Sequence, residues 1–284
     1  MCLPLKEICM SENCSHVCSS CEKSCGANSK DSLIRSLMPG ACVKKVVAVV
    51  SGKGGVGKSS TCALLAAMSQ KKGYRTALLD ADVTGPSLPR MFGAKERMRA
   101  TEQAILPQTT GSGIQTVSMN LLLDSETDPV VWRGSLVSSA ALQFWTDVLW
   151  EDVDLMFVDM PPGTGDVPLS IFQCLPLAGV IIVTTPQELV QMIVGKALKM
   201  ASKMDIPVLG IVENMSYLTC PCCGARLEPF GQSKAAAVAM EYGIPAVARM
   251  PMDSGLALLA DSGRIEEYAG TQPLEAVFAQ IEKA

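Results

Sequence analysis

A chain of 284 residues is long enough to bury a full hydrophobic core, and reads as one large domain with an appendage. Its 24 basic against 28 acidic residues give a net charge of −4, so no basic excess points to nucleic acid as a main partner. No apolar run reaches membrane-spanning length and the first residues lack the apolar core of an export signal, so no membrane partner and a cytoplasmic location are expected.

Twelve cysteines stand out, and Cys2, Cys9, Cys14, Cys18, Cys21, Cys25 and Cys42 lie at the N-terminal end. In the cytoplasm thiols stay reduced, so the clustering favours metal or cluster ligation over disulfides. Residues 1–30 are polar and show no helix or strand period. The close spacing of Cys14, Cys18, Cys21 and Cys25 lets one short loop wrap a metal centre. It is not the bacterial ferredoxin run, which ends in proline where this chain has Gly26. His16 sits inside the group, either as a ligand or simply solvated, and the competing reading of the segment is a reduced, disordered tail. Ser32–Met38 reads as a short helix stopped by Pro39-Gly40. Residues 1–42 are the expected extension and linker, and 43–284 the main domain.

Val46–Val50 is apolar and mostly β-branched, the pattern of a parallel strand buried on both faces. It runs into Gly52-Lys53-Gly54-Gly55-Val56-Gly57-Lys58-Ser59, whose spacing completes a phosphate loop. Glycines let successive backbone N–H groups turn in around phosphate oxygens, where a Cβ would collide. The helix expected over Ser59–Lys72, stopped by Gly73, aims its positive dipole end at the same anion. Lys58 supplies a charge for the β- and γ-phosphates and the Ser59 hydroxyl suits Mg²⁺, so ATP and Mg²⁺ are the expected ligands. A plain glycine turn would leave the Lys-Ser pair unexplained.

Thr76–Leu79 is the next strand, and it ends in Asp80-Ala81-Asp82, two carboxylates placed for Mg²⁺ and an attacking water. Residues 93–112 read as charged loop, Ile114–Ser118 as a strand and Ser135–Leu149 as a helix with Leu136, Ala140 and Phe144 on one face. Leu155–Val158 followed by Asp159 is a Walker B element, its carboxylate ordering Mg²⁺ through the ion's water shell. The Gly163-x-Gly165 hinge behind it is suited to sensing a departing γ-phosphate. Val180–Val183 is a strand, and Val190, Ile193, Val194, Ala197, Leu198 and Ala201 mark an amphipathic helix.

Val208–Val212 is a strand ending at Glu213-Asn214, and an amide side chain both donates and accepts, as an adenine edge requires. Cys220-x2-Cys223 is half of a four-thiolate site. A second copy across a dyad completes it, or, over a greater distance, the N-terminal cysteines; a zinc knuckle is the competing reading. Cys222 is expected to face away, the alternative being that it substitutes for one of the pair. Gly231–Tyr242 and Pro273–Lys283 read as helices and Pro245–Arg249 as a strand.

Lys53 turns the loop into KGGVGKS, which resembles the deviant phosphate loop of the MinD, ParA and nitrogenase-reductase ATPases. That resemblance implies an ATP-gated homodimer, with Lys53 reaching the partner's nucleotide, Asp82 at the attacking water and Asn214 reading adenine. With LLDADVTGPS, VDMPPGTGD, VTTPQ and ENMSYLTCPCCG in this order, residues 44–284 resemble the Mrp/ApbC family of iron–sulfur cluster carrier ATPases. The family implies an α/β fold with a doubly wound, mostly parallel sheet, slow ATP hydrolysis, and a [4Fe–4S] cluster bridged by Cys220 and Cys223 of both subunits. It also implies apo iron–sulfur proteins and a donor scaffold as partners. Gly52, Gly54, Gly55, Val56, Gly57, Lys58, Ser59 and either Ser60 or Thr61 would cradle the nucleotide, with Ser59, Asp82 and Asp159 around Mg²⁺.

Some relatives carry an N-terminal four-cysteine site whose spacing is not reproduced here, so a second cluster on Cys14, Cys18, Cys21 and Cys25 is an expectation for this chain. A positioning switch of the MinD/ParA kind needs a membrane helix or a DNA-binding surface. An electron donor like nitrogenase reductase needs a cysteine just after the second switch, and none lies between Asp159 and Cys174.

Overall fold

The structure, a computed structural model, describes residues 33–82, 87–94, 98–101, 103–118, 121, 134–163, 165–186 and 190–284. Cys14, His16, Cys18, Cys21 and Cys25 lie outside the described residues, as do Gly85-Pro86 and Thr164.

Strand β1 (Val43–Ser51) passes through the phosphate loop into α1 (Lys58–Lys71) and β2 (Thr76–Asp80). A short α2 (Leu88–Met91) and four small strands follow: β3 (Arg99–Ala100), β4 (Ile105–Leu106), β5 (Gln108–Thr109) and β6 (Gln115–Val117). Next come α3 (Gly134–Thr146), β7 (Val153–Asp159), α4 (Asp166–Cys174), β8 (Leu177–Thr184) and α5 (Val190–Lys203). The chain closes with β9 (Val208–Thr219), β10 (Arg226–Leu227), α6 (Ala235–Tyr242), β11 (Val247–Pro251), α7 (Ser254–Asp261) and α8 (Glu275–Lys283).

The parallel strands lie in the order β6-β2-β7-β1-β8-β9-β11, with β5 antiparallel on β6 and β10 antiparallel on the far end of β9. Side chains alternate across β1. Val46, Ala48 and Val50 pack with Phe144 and Trp145 of α3, Phe172 of α4 and Val194 of α5. Val47 and Val49 pack on the opposite face with Leu64 and Leu65 of α1 and Phe278 of α8. Two covered faces explain why β1 is an unbroken apolar run, and they make the doubly wound, mostly parallel sheet that was expected. Because β1 leads to β2 on one side and its neighbour β7 leads across it to β8 on the other, the C-terminal end of β1 opens at the crevice where such sheets bind ligands.

Several local expectations give way. Residues 33–38 are not helical: the Arg35 N–H donates to the Cys174 carbonyl and the Arg35 carbonyl accepts from Trp145 Nε1, each at 2.8 Å, so tertiary partners replace helical ones. The supposed loop over 93–112 contains β3, β4 and β5. β9 continues to Thr219 instead of stopping near Val212, and α6 begins at Ala235 rather than Gly231. α4 and α7 were not anticipated; α7 is capped by Asp253, whose carboxylate accepts from the Gly255 N–H at 2.7 Å. Among the described residues Cys62, Cys174, Cys220, Cys222 and Cys223 are free thiols.

Candidate functional site: phosphate loop and cysteine hairpin

The loop leaves β1 at the middle of the sheet and is pinned on both sides. Val56 is buried in the core beside α1, and its carbonyl accepts from Asn214 Nδ2 at 3.0 Å. Gly57 caps α1 with φ +79°, and a Cβ there would lie 2.0 Å from Asn214 Nδ2. No side chain fits that position. The Thr61 hydroxyl bonds back to the Gly57 carbonyl at 2.9 Å and is buried, whereas Ser60 lines the adjoining cavity. Of the two hydroxyls left open by the sequence, Ser60 is thus the one at the cavity. Lys53 is fixed through its backbone, whose carbonyl accepts from Ser51 Oγ at 3.0 Å.

Strand pairing gathers the charged groups. Asp159 ends β7 between Val49 of β1 and Asp80 of β2, and its carbonyl accepts from the Ala81 N–H at 2.9 Å. Lys58 Nζ lies 2.5 Å from Asp159 Oδ1 and 3.6 Å from Asp82 Oδ2, and Ser59 Oγ donates to Asp159 Oδ2 at 2.5 Å. Asp80, fully buried, accepts from Ser118 Oγ at 3.0 Å and from the Asp82 N–H at 3.2 Å.

Burial opposes the Lys58 charge, but Asp159, Asp82 and Asp80 outweigh it and raise the ammonium's pKa. Burial pushes the Asp80 carboxyl well above the usual range, and the Asp159 charge adds to the push. Burial also raises Asp159, with Lys58 and Ser59 pulling against it. One ammonium therefore faces Asp159 and Asp82, with the buried Asp80 pushed towards its protonated form, and a divalent cation would offset the negative charge left over. The oxygens of Ser59, Asp82 and Asp159 are the hard donors Mg²⁺ takes.

Asn214 owes its aim to a break in β9. Met215 takes a left-handed φ of +55°, and the pairing with β11 skips from Glu213↔Arg249 to Tyr217↔Pro251. A cavity of about 770 Å³ opens beside the loop, lined by Gly57, Ser60 and Asn214 on one side and by Leu218, Thr219 and Pro221 on another. Met252 and Asp253, at the start of α7, line it too. The sequence reading missed this third wall, although Asp253 ahead of the apolar run Leu256–Ala260 is a helix-start signal.

Past Thr219 the chain makes a tight turn between β9 and β10. The Cys220 N–H donates to the Ala225 carbonyl at 2.8 Å and the Gly224 N–H to the Cys220 carbonyl at 2.9 Å. The backbone N–H groups of Cys223 and Cys222 donate to the Cys220 sulfur and lower its pKa, with the Cys223 and Cys222 thiols adding to the effect. Cys222 and Cys223 are exposed. Among the described residues no three His, Cys, Asp or Glu side chains form a metal-binding group. The structure thus brings Gly57, Lys58, Ser59, Asp82, Asp159 and Asn214 together and sets Cys220 and Cys223 on the adjoining hairpin.

Residues 42–284 match the family described as ParA, NUBPL iron-transfer P-loop NTPase. An iron-sulfur cluster carrier protein of Clostridium perfringens is 40% identical over 273 residues, 90% of this chain and 96% of its own length. A protein of the same name from Methanocaldococcus jannaschii is 40% identical over 236 residues, covering 82% and 81%. Among solved structures, a nucleotide-binding protein from Archaeoglobus fulgidus in complex with ADP superposes with a TM-score of 0.73 at 41% identity, over 80% of this chain and 89% of that one. The cell division ATPase MinD of Pyrococcus furiosus shares the fold, with a TM-score of 0.59 at 18% identity over 84% of this chain and 98% of its own. With a phosphate loop at the centre of its sheet and relatives matched over most of their length, the chain belongs to the NUBPL iron-transfer family of P-loop NTPases, the family of iron–sulfur cluster carriers.

Proposed function

We propose that this chain binds and slowly hydrolyses ATP, assembles a [4Fe–4S] cluster on Cys220 and Cys223 of two copies, and passes it from a donor scaffold to apo iron–sulfur proteins in the cytoplasm. One observation carries the reading. A single strand, β9, abuts the phosphate loop at Asn214 and ends in a hairpin whose turn amides favour the Cys220 thiolate. Thiolates are what iron–sulfur clusters bind. One chain offers two ligands, and a twofold pair offers four.

In this reading Gly52, Gly54, Gly55, Val56 and Gly57 present backbone N–H groups to the phosphates. Lys58 holds the β- and γ-phosphates, and Ser60 and Asn214 take the ribose and adenine side. Ser59, Asp82 and Asp159 hold Mg²⁺, which when bound neutralises charge on the phosphoryl oxygens. Asp82 orients the attacking water, and Lys53 reaches the partner's nucleotide. Residues 1–42 are an extension to the ATPase domain at 43–284, and Cys14, Cys18, Cys21 and Cys25 hold a second cluster. The family match beginning at residue 42 supports that division. No helix among the described residues is long and apolar enough to cross a membrane.

Anaerobic reconstitution tests the proposal, with iron and sulfide counted per dimer. The intact chain is expected to hold more than the bridging cluster, and a chain lacking residues 1–30 to hold the bridging cluster alone. Unchanged iron after that deletion removes the second site. A Cys220→Ala protein that still binds the labile cluster overturns the bridging site.

A further inference from the structure

The nucleotide cavity and the cysteine hairpin share a wall, and one side chain of a neighbouring strand ties that wall down. Leu218, Thr219 and Pro221 line the cavity and lead directly into the thiols. On β11, Arg249 Nε donates to Ser216 Oγ at 2.7 Å, and Ser216 donates to Glu213 Oε2 at 2.5 Å. Arg249 Nη2 reaches the other way, 2.5 Å to Glu228 Oε1 in the turn that follows β10. Its guanidinium also lies 5.9 Å from the Tyr217 ring centroid, and Arg226 of the hairpin lies 4.5 Å from the same ring.

Glu213 is the residue before Asn214. It is fully buried, and its Oε1 has no hydrogen-bond partner, so the Arg249 charge is what answers it. Arg249 therefore holds three things at once: the buried carboxylate beside Asn214, the strand on the hairpin side of the Met215 break, and the far leg of the hairpin. A planar guanidinium with forked donors suits such a joint, where a lysine would serve only one arm. The left-handed Met215 is the natural place for the two halves of β9 to shift against each other.

We propose that Arg249 is a positioning residue that fixes the cysteine hairpin against the nucleotide cavity, so that nucleotide in the cavity and metal on the Cys220–Cys223 pair change each other's affinity. The inference rests on the function proposed above for these two sites. Such a coupling is reciprocal by thermodynamic necessity.

The test uses the full chain without oxygen, in excess Mg²⁺, with Co²⁺ as the thiolate probe, read by its charge-transfer absorption, and ADP as the nucleotide. A Cys220→Ser, Cys223→Ser protein gives the Co²⁺ signal of the other cysteines, to be subtracted. ADP is expected to shift the pair's Co²⁺ affinity by about fivefold or more. In Arg249→Gln the shift falls below about twofold. Glu228→Ala removes the acceptor of the hairpin arm and leaves Glu213 answered, so it gives the same loss, with ADP affinity in the absence of Co²⁺ that of the parent, even if Arg249→Gln folds poorly. Arg249→Lys restores part of the shift. Full coupling in Glu228→Ala, or no coupling in the parent although ADP and Co²⁺ both bind, overturns the inference. No Co²⁺ signal from Cys220 and Cys223 overturns instead the carrier reading, and this inference with it.

Discussion

Lys58 Nζ sits 2.5 Å from Asp159 Oδ1, with the lysine 6% exposed and the aspartate completely enclosed. The pair is shielded from water, and removing one partner strands the other. Lys58→Met is expected to abolish nucleotide binding and to cost about 3–5 kcal/mol of stability at neutral pH, because Asp159 keeps its burial without its counter-charge. Part of that loss should return as the pH falls and the carboxyls take up protons. Urea denaturation at two pH values checks this; equal losses at both would refute it.

Asp80 makes the opposite case. Burial, with the neighbouring Asp159 charge, raises its carboxyl well above the usual range. Above pH about 4 an unfolded chain has released this proton while the folded protein still holds it. The folded state then binds more protons, so stability contributed here is present at low pH and is lost as pH rises through the folded value. Asp80→Asn, which keeps an acceptor for Ser118, should flatten the decline and be more stable than the parent at the alkaline end. Stability curves recorded across pH without divalent cations would show it; parallel curves would contradict it.

Gly57→Ala places a methyl 2.0 Å from Asn214 Nδ2 at a φ of +79°. The backbone alone costs about 1–2 kcal/mol, and the Asn214 bond to Val56 is displaced as well. Nucleotide affinity should fall by at least about tenfold, equivalent to about 1.4 kcal/mol. Adding Asn214→Gly should relieve the clash and so recover part of the stability but not the affinity, a non-additivity that calorimetry on the double variant would measure.

Met215 tests the break in β9. Met215→Gly should be close to neutral, since glycine adopts a φ of +55° freely but loosens the unfolded chain. Met215→Val should cost about 1–3 kcal/mol, as a β-branched residue resists that conformation. Thermal melts of the two variants would separate them, and a stable valine variant would mean the strand has other ways to bend.

The central strands were legible because burial on both faces leaves no polar positions in them, as at Val46–Val50. The phosphate loop was legible because its glycines and Lys58 are fixed in order by the shape of the phosphates. β9 was read short because Glu213, Asn214 and Ser216 interrupt the apolar run. In the fold these polar groups bond to one another and to Val56, 158 positions away. Arg249 was invisible for the same reason, its partners lying 33 and 21 positions off in sequence. The false helix at Ser32–Met38 failed on a long-range bond too, from Arg35 to Cys174.

The uneven support of β9 gives it a graded dynamic character. Its inner amides, near Ile211 and Val212, are held between β8 and β11, whereas Leu218 and Thr219 pair only with the two-residue β10. Deuterium should therefore enter the outer end within minutes and the inner end only when the whole molecule opens. A single proteolytic fragment spanning the strand would report local breathing and global unfolding side by side.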